Sequence, residues 1–543
     1  MHGKFKLEKI KEQFKPTPIE EIVGKAIAEA LPDHGKPWFM VKHLLLLNIL
    51  LIVPLLSAAV NGYDGSLMNG LQSMEEWRDQ FGHPQGTMLG FVNAAQSIGG
   101  VIVLPFAGYL ADKLGRKLTL TIGLVGIIVA TIIQATGHNL GQLIASRFIV
   151  GFAGLLAVQP APLLVAELSY PTMRGKITCL YFTLFYVGAI LAAWSCYGCT
   201  GRGDAWAWRI PTILQAAFPI IQLVFLYFVP ESPRWLVSKG KVDKARDILV
   251  RFHGGGDVHS PLVETEMIEI SNALDMERQA DQTTWMAFIS TPGNRKRAFI
   301  AITMGIFSQW SGNAVVSYYF TLVLDTIGIT SSSMQTLING FLQIFNFVFA
   351  TLGAFSVDFF GRRFLLLWSG IGMLISYIIW TICSAIFDQT KSVSAGRAVV
   401  GFIFIFFFHY DIAYTPLLIG YPTEIFPYSM RSKGVSLVLA TTSASLVISS
   451  FCNSIAMDNI GWRYYIVFCV ILLFAVLNTY FFYPETKGYS LEEIAVLFDG
   501  EKVTDLEILL AEDDDHLDSL LSGKKDIQVE HLETVSGSSR GSR

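Results

Sequence analysis

Twelve long apolar stretches constrain this chain more than any other feature of its sequence. Clusters of charged residues separate them, and each comes near the roughly 20 residues that a helix needs to cross a bilayer. Charged residues make up only 15% of the chain, against roughly 25% in soluble proteins. A large soluble helical protein is the alternative, and the even spacing disfavours it. The stretches are expected at residues 43–62, 88–110, 118–136, 141–165, 177–198, 210–229, 298–322, 335–357, 364–387, 398–421, 433–455 and 463–483.

Four short motifs occur twice, in the same order and about 250 residues apart. Any single match is weak, but four in one order indicate duplication into two halves of similar design. The sequence therefore predicts an all-α membrane protein with two bundles of six helices. The matched motifs are GYLADKLGRK at 108–117 with SVDFFGRR at 356–363, RFIVG at 147–151 with RAVVG at 397–401, Glu167 and Arg174 with Glu424 and Arg431, and PESPR at 230–234 with PETK at 484–487.

Lysine and arginine residues concentrate in alternate connections between the stretches. The positive-inside rule places those connections, and both termini, in the cytoplasm. The basic residues are spread among loops, so the net charge of −4 does not indicate nucleic-acid binding. The predicted organisation is a cytoplasmic segment at 1–42, a bundle at 43–229, a connector at 230–297 with short helices around 241–252 and 263–280, a second bundle at 298–483, and a cytoplasmic tail at 484–543 that is disordered after about 500.

The repeated motifs fall at the cytoplasmic ends of the predicted spans. Carboxylates and guanidinium groups can meet there across helices, tie neighbouring helices together in one state and release them in another. Charges that only mark topology are the alternative, and matched acid–base sets in both halves favour a gate. The candidate gate residues are Asp112, Arg116, Glu167, Arg174, Asp358, Arg362, Glu424 and Arg431.

Taken together, these motifs resemble the sugar porter family of the major facilitator superfamily, over roughly residues 43–500. NGYDGSLM at 61–68, WRIP at 208–211 and QWSGN at 309–313 are most similar to fungal transporters of the lactose and cellodextrin permease type. The resemblance implies a major facilitator fold, a sugar substrate, and alternating access through rocking of two six-helix bundles.

Asp64 is the first candidate for a coupling residue. A carboxylate at the end of an apolar span is costly unless it is paired, solvated or protonated. In proton-coupled sugar porters the Asp of a matching GYD motif lies near an Arg of the fourth span, which the resemblance matches to Arg147. We therefore expect Asp64 and Arg147 to couple transport to a proton. The alternative is an Asp that caps a helix at a membrane edge, since GYDG resembles a turn.

Sugar recognition requires directional hydrogen bonds and apolar faces for stacking. Gln309 and Asn313 are four residues apart and share one helix face, and the resemblance implies that Gln309 contacts sugar. An interhelical hydrogen bond is the alternative role for each polar residue of the spans. The candidate substrate ligands are Gln309, Asn313, Tyr318, Tyr319, Gln343 and Asn346.

Several positions depart from the hexose porters that the chain resembles. Many of those have a sugar-binding Gln where this chain has Ala189, and a Trp where it has Ile419. The lost contacts favour a disaccharide such as lactose or cellobiose. Asp411 is a further departure. It points about 160° away from His409 on a helix, and it either lies near the cavity or bonds a neighbouring helix.

The leading expectation is a monomeric, proton-coupled sugar importer of a fungal plasma membrane. Its partners are a sugar, protons and the lipid bilayer, with no cofactor, metal or nucleic acid. A facilitator for a hexose, a polyol or quinate and a non-transporting sugar sensor are the alternatives. An enzyme is disfavoured because no span carries a nucleophile–base set or metal-ligand spacing.

Overall fold

The computed structural model shows a helical protein, and no strand occurs in its described residues. Helices are the expected solution in a bilayer, because no water is present there to satisfy an open backbone. The tail predicted to be disordered after about residue 500 lies outside the described residues. The structure describes residues 23, 25–32, 35–280, 284–487, 489 and 491–499.

Twelve helices correspond to the twelve apolar stretches. Ten helical stretches are long and apolar enough to cross a membrane; one of these, Met430–Phe482, contains two helices, and Thr183–Cys199 is a shorter apolar helix. The twelve helices are α1 Lys42–Ser73, α2 Gly86–Leu114, α3 Arg116–Ala135, α4 Leu140–Leu168, α5 Arg174–Cys199, α6 Trp206–Leu226, α7 Pro292–Asp325, α8 Ser332–Phe360, α9 Arg362–Thr390, α10 Val393–Ile425, α11 Tyr428–Ile460 and α12 Tyr465–Phe482.

Short breaks interrupt three of these helices inside the bundles. α4 turns at Gln159, α6 at Gln215 and Ala216, and α7 at Ser311 and Gly312. Irregular backbone at membrane depth is tolerated where protein or a cavity surrounds it. The breaks in α6 and α7 lie beside the two cavities of the candidate site.

The first helix is longer than the predicted span, which ended at residue 62. α1 continues to Ser73, so Asp64 lies inside a helix and only 2% of it is exposed. The prediction of an Asp at the end of a span was therefore wrong, as was the alternative of a turn. The first glycine of this motif serves packing: a Cβ at Gly62 would overlap the carbonyl of Phe185, and one at Gly188 would overlap that of Ala59. Small residues allow α1 and α5 to approach this closely.

The two bundles meet along α1, α2 and α5 on one side and α7, α8 and α11 on the other. We call the end that carries Arg116, Glu167, Arg362 and Glu424 the motif end, and the opposite end the far end. Hydrogen bonds join the two bundles at the far end. The pairs are Asn69 Nδ2 to the Ser317 carbonyl at 2.7 Å, Gln72 Nε2 to the Tyr318 carbonyl at 3.2 Å, Ser332 Oγ to the Ser73 carbonyl at 2.5 Å and Ser454 Oγ to the Gly86 carbonyl at 2.7 Å.

Shorter helices cover the motif end. Val242–Phe252 and Pro261–Ala280 match the two helices predicted for the connector. A helix at Leu491–Asp499 lies against the start of α7, where Arg297 binds the Asp499 carboxylate with N–O distances of 3.0 and 2.7 Å. These helices hold the motif ends of both bundles in place.

Candidate functional site

A cavity of about 420 Å³ lies between the bundles. α1, α4 and α5 form one wall, and α7, α8, α10 and α11 form the other. Its volume falls within the range of roughly 300–1,000 Å³ that small-molecule sites occupy. Five of the six predicted substrate ligands line it, namely Gln309, Asn313, Tyr318, Gln343 and Asn346.

The break in α7 brings its polar side chains to the cavity wall. Gly312 has φ +98°, and a Cβ there would overlap the ring of Tyr377. Gln309 and Asn313 lie on either side of this break, so both line the cavity without sharing one regular helix. The helix is distorted again at Tyr319, with φ −133° and ψ 29°.

Tyr319 is the exception among the predicted substrate ligands. It does not line the cavity, its exposure is 0%, and its hydroxyl donates to the carbonyl of Ser450 on α11. Its neighbour Tyr318 lines the cavity instead.

The polar groups of the cavity wall bond one another within α7 and within α8, and one of them reaches α1. Ser317 donates to Asn313 Oδ1 at 2.9 Å, and Gln343 donates to Asn339 Oδ1 at 3.1 Å. Asn339 in turn reaches Ser66 Oγ on α1 at 3.4 Å. Amides that are bonded in this way can exchange these hydrogen bonds for hydrogen bonds to a polar ligand.

Asp411 lines the same cavity and bonds a neighbouring helix as well, so both options left open by the sequence apply. Its Oδ1 accepts the hydroxyl of Tyr186 on α5 at 2.8 Å and that of Thr415 at 3.1 Å. His409 points elsewhere: its ring lies 4.7 Å from that of Trp368 on α9. This separation agrees with the helical geometry expected for residues two apart.

Asp64 and Arg147 form a buried ion pair beside the central cavity. Arg147 Nη1 lies 2.5 Å from Asp64 Oδ1, with side-chain exposures of 0% and 3%. Gln96 contacts both partners, and Gln215 Nε2 donates to Asp64 Oδ1 at 2.8 Å. The side-chain amides of Gln96 and Gln215 thus surround the pair and can hydrogen-bond Asp64 and Arg147 whether or not the two are paired with each other.

A second cavity of about 230 Å³ gives access to Asp64. It shares four wall residues with the central cavity, namely Asn61, Val158, Tyr318 and Leu446. A ligand in the central cavity is therefore one side chain away from the space that borders the ion pair.

The glycine of the repeated R-x-x-x-G motif explains how Arg147 reaches its partners. A Cβ at Gly151 would overlap the carbonyl of Gln96, so α4 and α2 can touch only because this residue is glycine. The counterpart Gly401 has no atom within 4 Å of such a Cβ. The motif is thus repeated in sequence, while the close contact exists in one bundle.

Sequence reasoning missed Gln96 and Gln215 as part of this site. Both residues are amides within apolar helices. Many other positions of the sequence share that property, so it does not single out these two. What selects these two is contact with the ion pair across α2 and α6, together with the break in α6 at Gln215.

At the motif end, charged pairs form in both bundles. Arg116 Nε lies 3.2 Å from Glu167 Oε2, and Arg116 Nη1 lies 3.0 Å from Asp112 Oδ1. In the second bundle Arg362 Nη2 lies 2.8 Å from Glu424 Oε1. Each of these pairs joins two helices of the same bundle.

The remaining candidate gate residues lie at the same end. Arg174 begins α5, and Arg431 lies in the first turn of α11. The side chain of Asp358 lies outside the described residues.

The repeated P-E motif caps the helix that the repeated G-R motif begins. Glu231 accepts the backbone N–H of Lys117 at 3.2 Å, and Glu485 accepts that of Arg362 at 2.8 Å. A carboxylate is favourable at a helix N-terminus. Gly115 adopts φ +101° at this point, where a side chain would be strained and would overlap Glu231. Burial raises the pKa of the Glu231 carboxyl above its ordinary value.

Two six-helix bundles that enclose a cavity lined by amides, tyrosines and apolar side chains define this protein as a membrane transporter of the major facilitator fold. The chain belongs to the sugar porter family: the family described as sugar (and other) transporter matches residues 50–498. The predicted fold class and family are confirmed, and so is the expectation of a transporter rather than an enzyme. Within the described residues, no group of three or more His, Cys, Asp or Glu could hold a metal ion.

Fungal transporters are among the relatives. The MFS-type transporter criB of Aspergillus cristatus is 29% identical over 448 residues, covering 82% of this chain and 92% of the relative. The low-affinity glucose transporter HXT1 of Saccharomyces cerevisiae is 26% identical over 508 residues, covering 89% and 86%.

Solved structures of the xylose transporter XylE from E. coli are similar in fold. The inward-open conformation gives a TM-score of 0.71 at 24% identity, covering 83% of this chain and 100% of that one. The proton:xylose symporter XylE bound to 6-bromo-6-deoxy-D-glucose gives 0.66 at 25% identity, covering 83% and 99%.

Proposed function

We propose that this protein is a proton-coupled sugar importer that works by alternating access. The observation that best supports this proposal is the buried Asp64–Arg147 pair. The pair borders the second cavity, which shares wall residues with the central cavity. A carboxylate inside a membrane bundle is costly and commonly belongs to a proton relay. The similar structure titled as a proton:xylose symporter supports the same reading.

In this mechanism Asp64 carries the proton. Ionised Asp64 pairs with Arg147, as in the structure. Uptake of a proton from the outer solution removes the negative charge, and Arg147 then keeps its contact with the amide oxygen of Gln96. Release of the proton to the inner solution restores the ion pair. Gln215 remains a donor to Asp64 throughout.

The substrate is a sugar that carries no carboxylate. The cavity wall offers amides for directional hydrogen bonds and tyrosines for stacking, and its described lining residues include no Lys, Arg or His. That lining disfavours quinate, whose carboxylate would have no cation to pair with. Ala189 lies in the wall and leaves room there, which supports a disaccharide such as lactose or cellobiose.

Hexose transport is the second candidate. It is favoured by relatives named as glucose transporters, such as HXT1. Transport of a hexose that does not depend on pH would identify the protein as a facilitator. The absence of uptake for every sugar would support a sensor instead.

The two bundles at 43–229 and 298–483 rock about the cavity, linked by the connector at 230–297. The hydrogen bonds between the bundles at the far end support a state closed on the outer side. The gate residues then exchange partners at the motif end as that end closes. We place the motif end and both termini in the cytoplasm, and the monomer in the plasma membrane.

The test is uptake of labelled mono- and disaccharides, with external pH recorded, in cells that lack other sugar transporters. The wild type should take up at least one sugar together with protons. Asp64→Asn should lose sugar-driven proton uptake and still exchange labelled for unlabelled sugar across the membrane. Asp79→Asn, an exposed carboxylate in a far-end connection with 63% side-chain exposure, serves as the matched control. Proton uptake by Asp64→Asn at the wild-type level would refute the coupling role.

A further inference from the structure

Asp411 is a second buried carboxylate, and its surroundings differ from those of Asp64. Its exposure is 0%, and it lies on α10 in the wall of the central cavity. The groups that bond it are neutral: the hydroxyls of Tyr186 and Thr415 and the amide of Asn346. Asp64, by contrast, is neutralised by Arg147.

Charged and titratable groups near Asp411 do not supply a counter-ion. The titratable residues facing it from the packed helices are Tyr186 on α5, Tyr410 and Tyr414 on α10 and Tyr318 on α7. The Asp64–Arg147 pair borders the adjoining cavity, beyond Tyr318. Among the described lining residues, Asp411 is the single carboxyl group, and Lys, Arg and His do not occur among them, so at neutral pH it is the group that can give the central cavity a negative charge.

The two carboxylate oxygens are unequally occupied. Oδ1 accepts both hydroxyl groups, at 2.8 Å from Tyr186 and 3.1 Å from Thr415. The side-chain amide of Asn346 lies 3.3 Å from Oδ2 and donates to it when its nitrogen and oxygen are assigned so that both find partners. A carboxylate offers about four lone-pair positions, so Oδ2 retains capacity for a further donor from a ligand in the cavity. Asp411 lies on α10 of the second bundle, and Tyr186, which donates to it, lies on α5 of the first. A ligand that bonds Asp411 therefore contacts a carboxylate that is held by both bundles.

We propose that Asp411 is a specificity-determining ligand of the transported substrate. Its carboxylate accepts hydrogen bonds from sugar hydroxyls, favours amino sugars that carry a positive charge, and rejects sugars that carry a carboxylate. The physical reason is that a like charge in a water-poor cavity is repelled strongly, while an ammonium group supplies the missing counter-ion. This proposal rests on the proposed function, because it requires a sugar in the central cavity.

Competition for uptake tests the proposal. The probe is the labelled sugar that the wild type transports best. Competitors are a matched neutral, amino and acidic trio: glucose, glucosamine and glucuronate for a hexose, or cellobiose, deacetylated chitobiose and cellobiuronate for a disaccharide. The wild type should bind the amino sugar at least about tenfold more tightly than the acidic one. Asp411→Asn should reduce that preference to near unity, and Asp411→Glu should retain it.

Two further variants separate the possible outcomes. Asp388→Asn removes an exposed carboxylate at the far end and should leave the preference unchanged. Tyr186→Phe keeps the ring and removes one donor to Asp411, so it tests the site if Asp411→Asn does not reach the membrane; it should weaken the preference. An unchanged preference in Asp411→Asn, or in Tyr186→Phe when that variant alone is available, overturns the proposal. If the wild type binds no sugar at all, the proposed function is overturned instead.

Discussion

Replacing Arg147 with methionine leaves Asp64 as a buried charge without its cation. The two charged groups are 0% and 3% exposed, and their nearest atoms are 2.5 Å apart. Two charges about 4 Å apart attract by about 4 kcal/mol at an effective dielectric constant near 20. Removing one member of such a buried pair costs about 3–5 kcal/mol of folding free energy. We expect Arg147→Met to destabilise the protein by that amount.

The double variant Asp64→Asn/Arg147→Met distinguishes charge from packing. With no uncompensated charge left, it should recover about 1–3 kcal/mol of the loss. Gln96 and Gln215 would still bond the new amide in the same site. The assay is thermal unfolding of the purified protein in detergent micelles, followed by tryptophan fluorescence.

Arg246→Met is the matched control, because it breaks an ion pair with Glu264 whose side chains are 40% and 49% exposed. An exposed pair contributes about 0–1 kcal/mol, so its melting temperature should stay near that of the wild type. If Arg147→Met melts with this control, or if the double variant is no more stable than Arg147→Met, the electrostatic reasoning is refuted. Recovery of purifiable protein in the double variant alone would support it.

The remaining predictions concern helix packing and pH. Gly188→Ala should cost about 1–3 kcal/mol of stability and so lower the melting temperature, because the added Cβ overlaps the Ala59 carbonyl. Gly198→Ala, in the same helix, adds its Cβ in open space and should leave the melting temperature unchanged. Equal melting temperatures of the two variants would contradict the packing argument. Burial raises the pKa of Glu231, so the folded protein holds this proton more tightly than the unfolded chain does. The free energy of unfolding therefore falls as pH rises from the pKa of the unfolded glutamate through the raised pKa of the folded protein. Glu231→Gln should therefore show a smaller loss of stability as pH rises above the ordinary pKa of a glutamate, about 4.3, measured by thermal unfolding at each pH, and an unchanged slope would rule this out.

Much of the fold could be predicted from the sequence because membrane insertion depends on local apolar content. The span at 43–62 was nevertheless too short, since Asp64 interrupts the apolar run while α1 continues to Ser73. A polar residue inside a helix is acceptable once Arg147, Gln96 and Gln215 surround it. The spans of these partners were predictable, but the contacts among them were not.

The candidate site was predictable only in part for the same reason. Gln309 and Asn313 were recognised from their position in an apolar stretch and from a family resemblance, and both line the cavity. Tyr318 and Tyr319 are adjacent in sequence and could not be told apart, because the packing of α7 against its neighbouring helices decides which one faces the cavity.

The sequence by itself determined the number of spans, the duplication and the family, since each depends on residue types within a short window. Tertiary structure decided which of two similar carboxylates has a cation. Asp64 meets Arg147, with Gly151 allowing α4 to lie against Gln96 on α2, whereas Asp411 meets a tyrosine of the other bundle. Such differences arise from contacts between helices distant in the chain, where an overlap of a single Cβ controls the approach. The repeated motifs describe two similar bundles, and the packing between their helices makes the two acids chemically different.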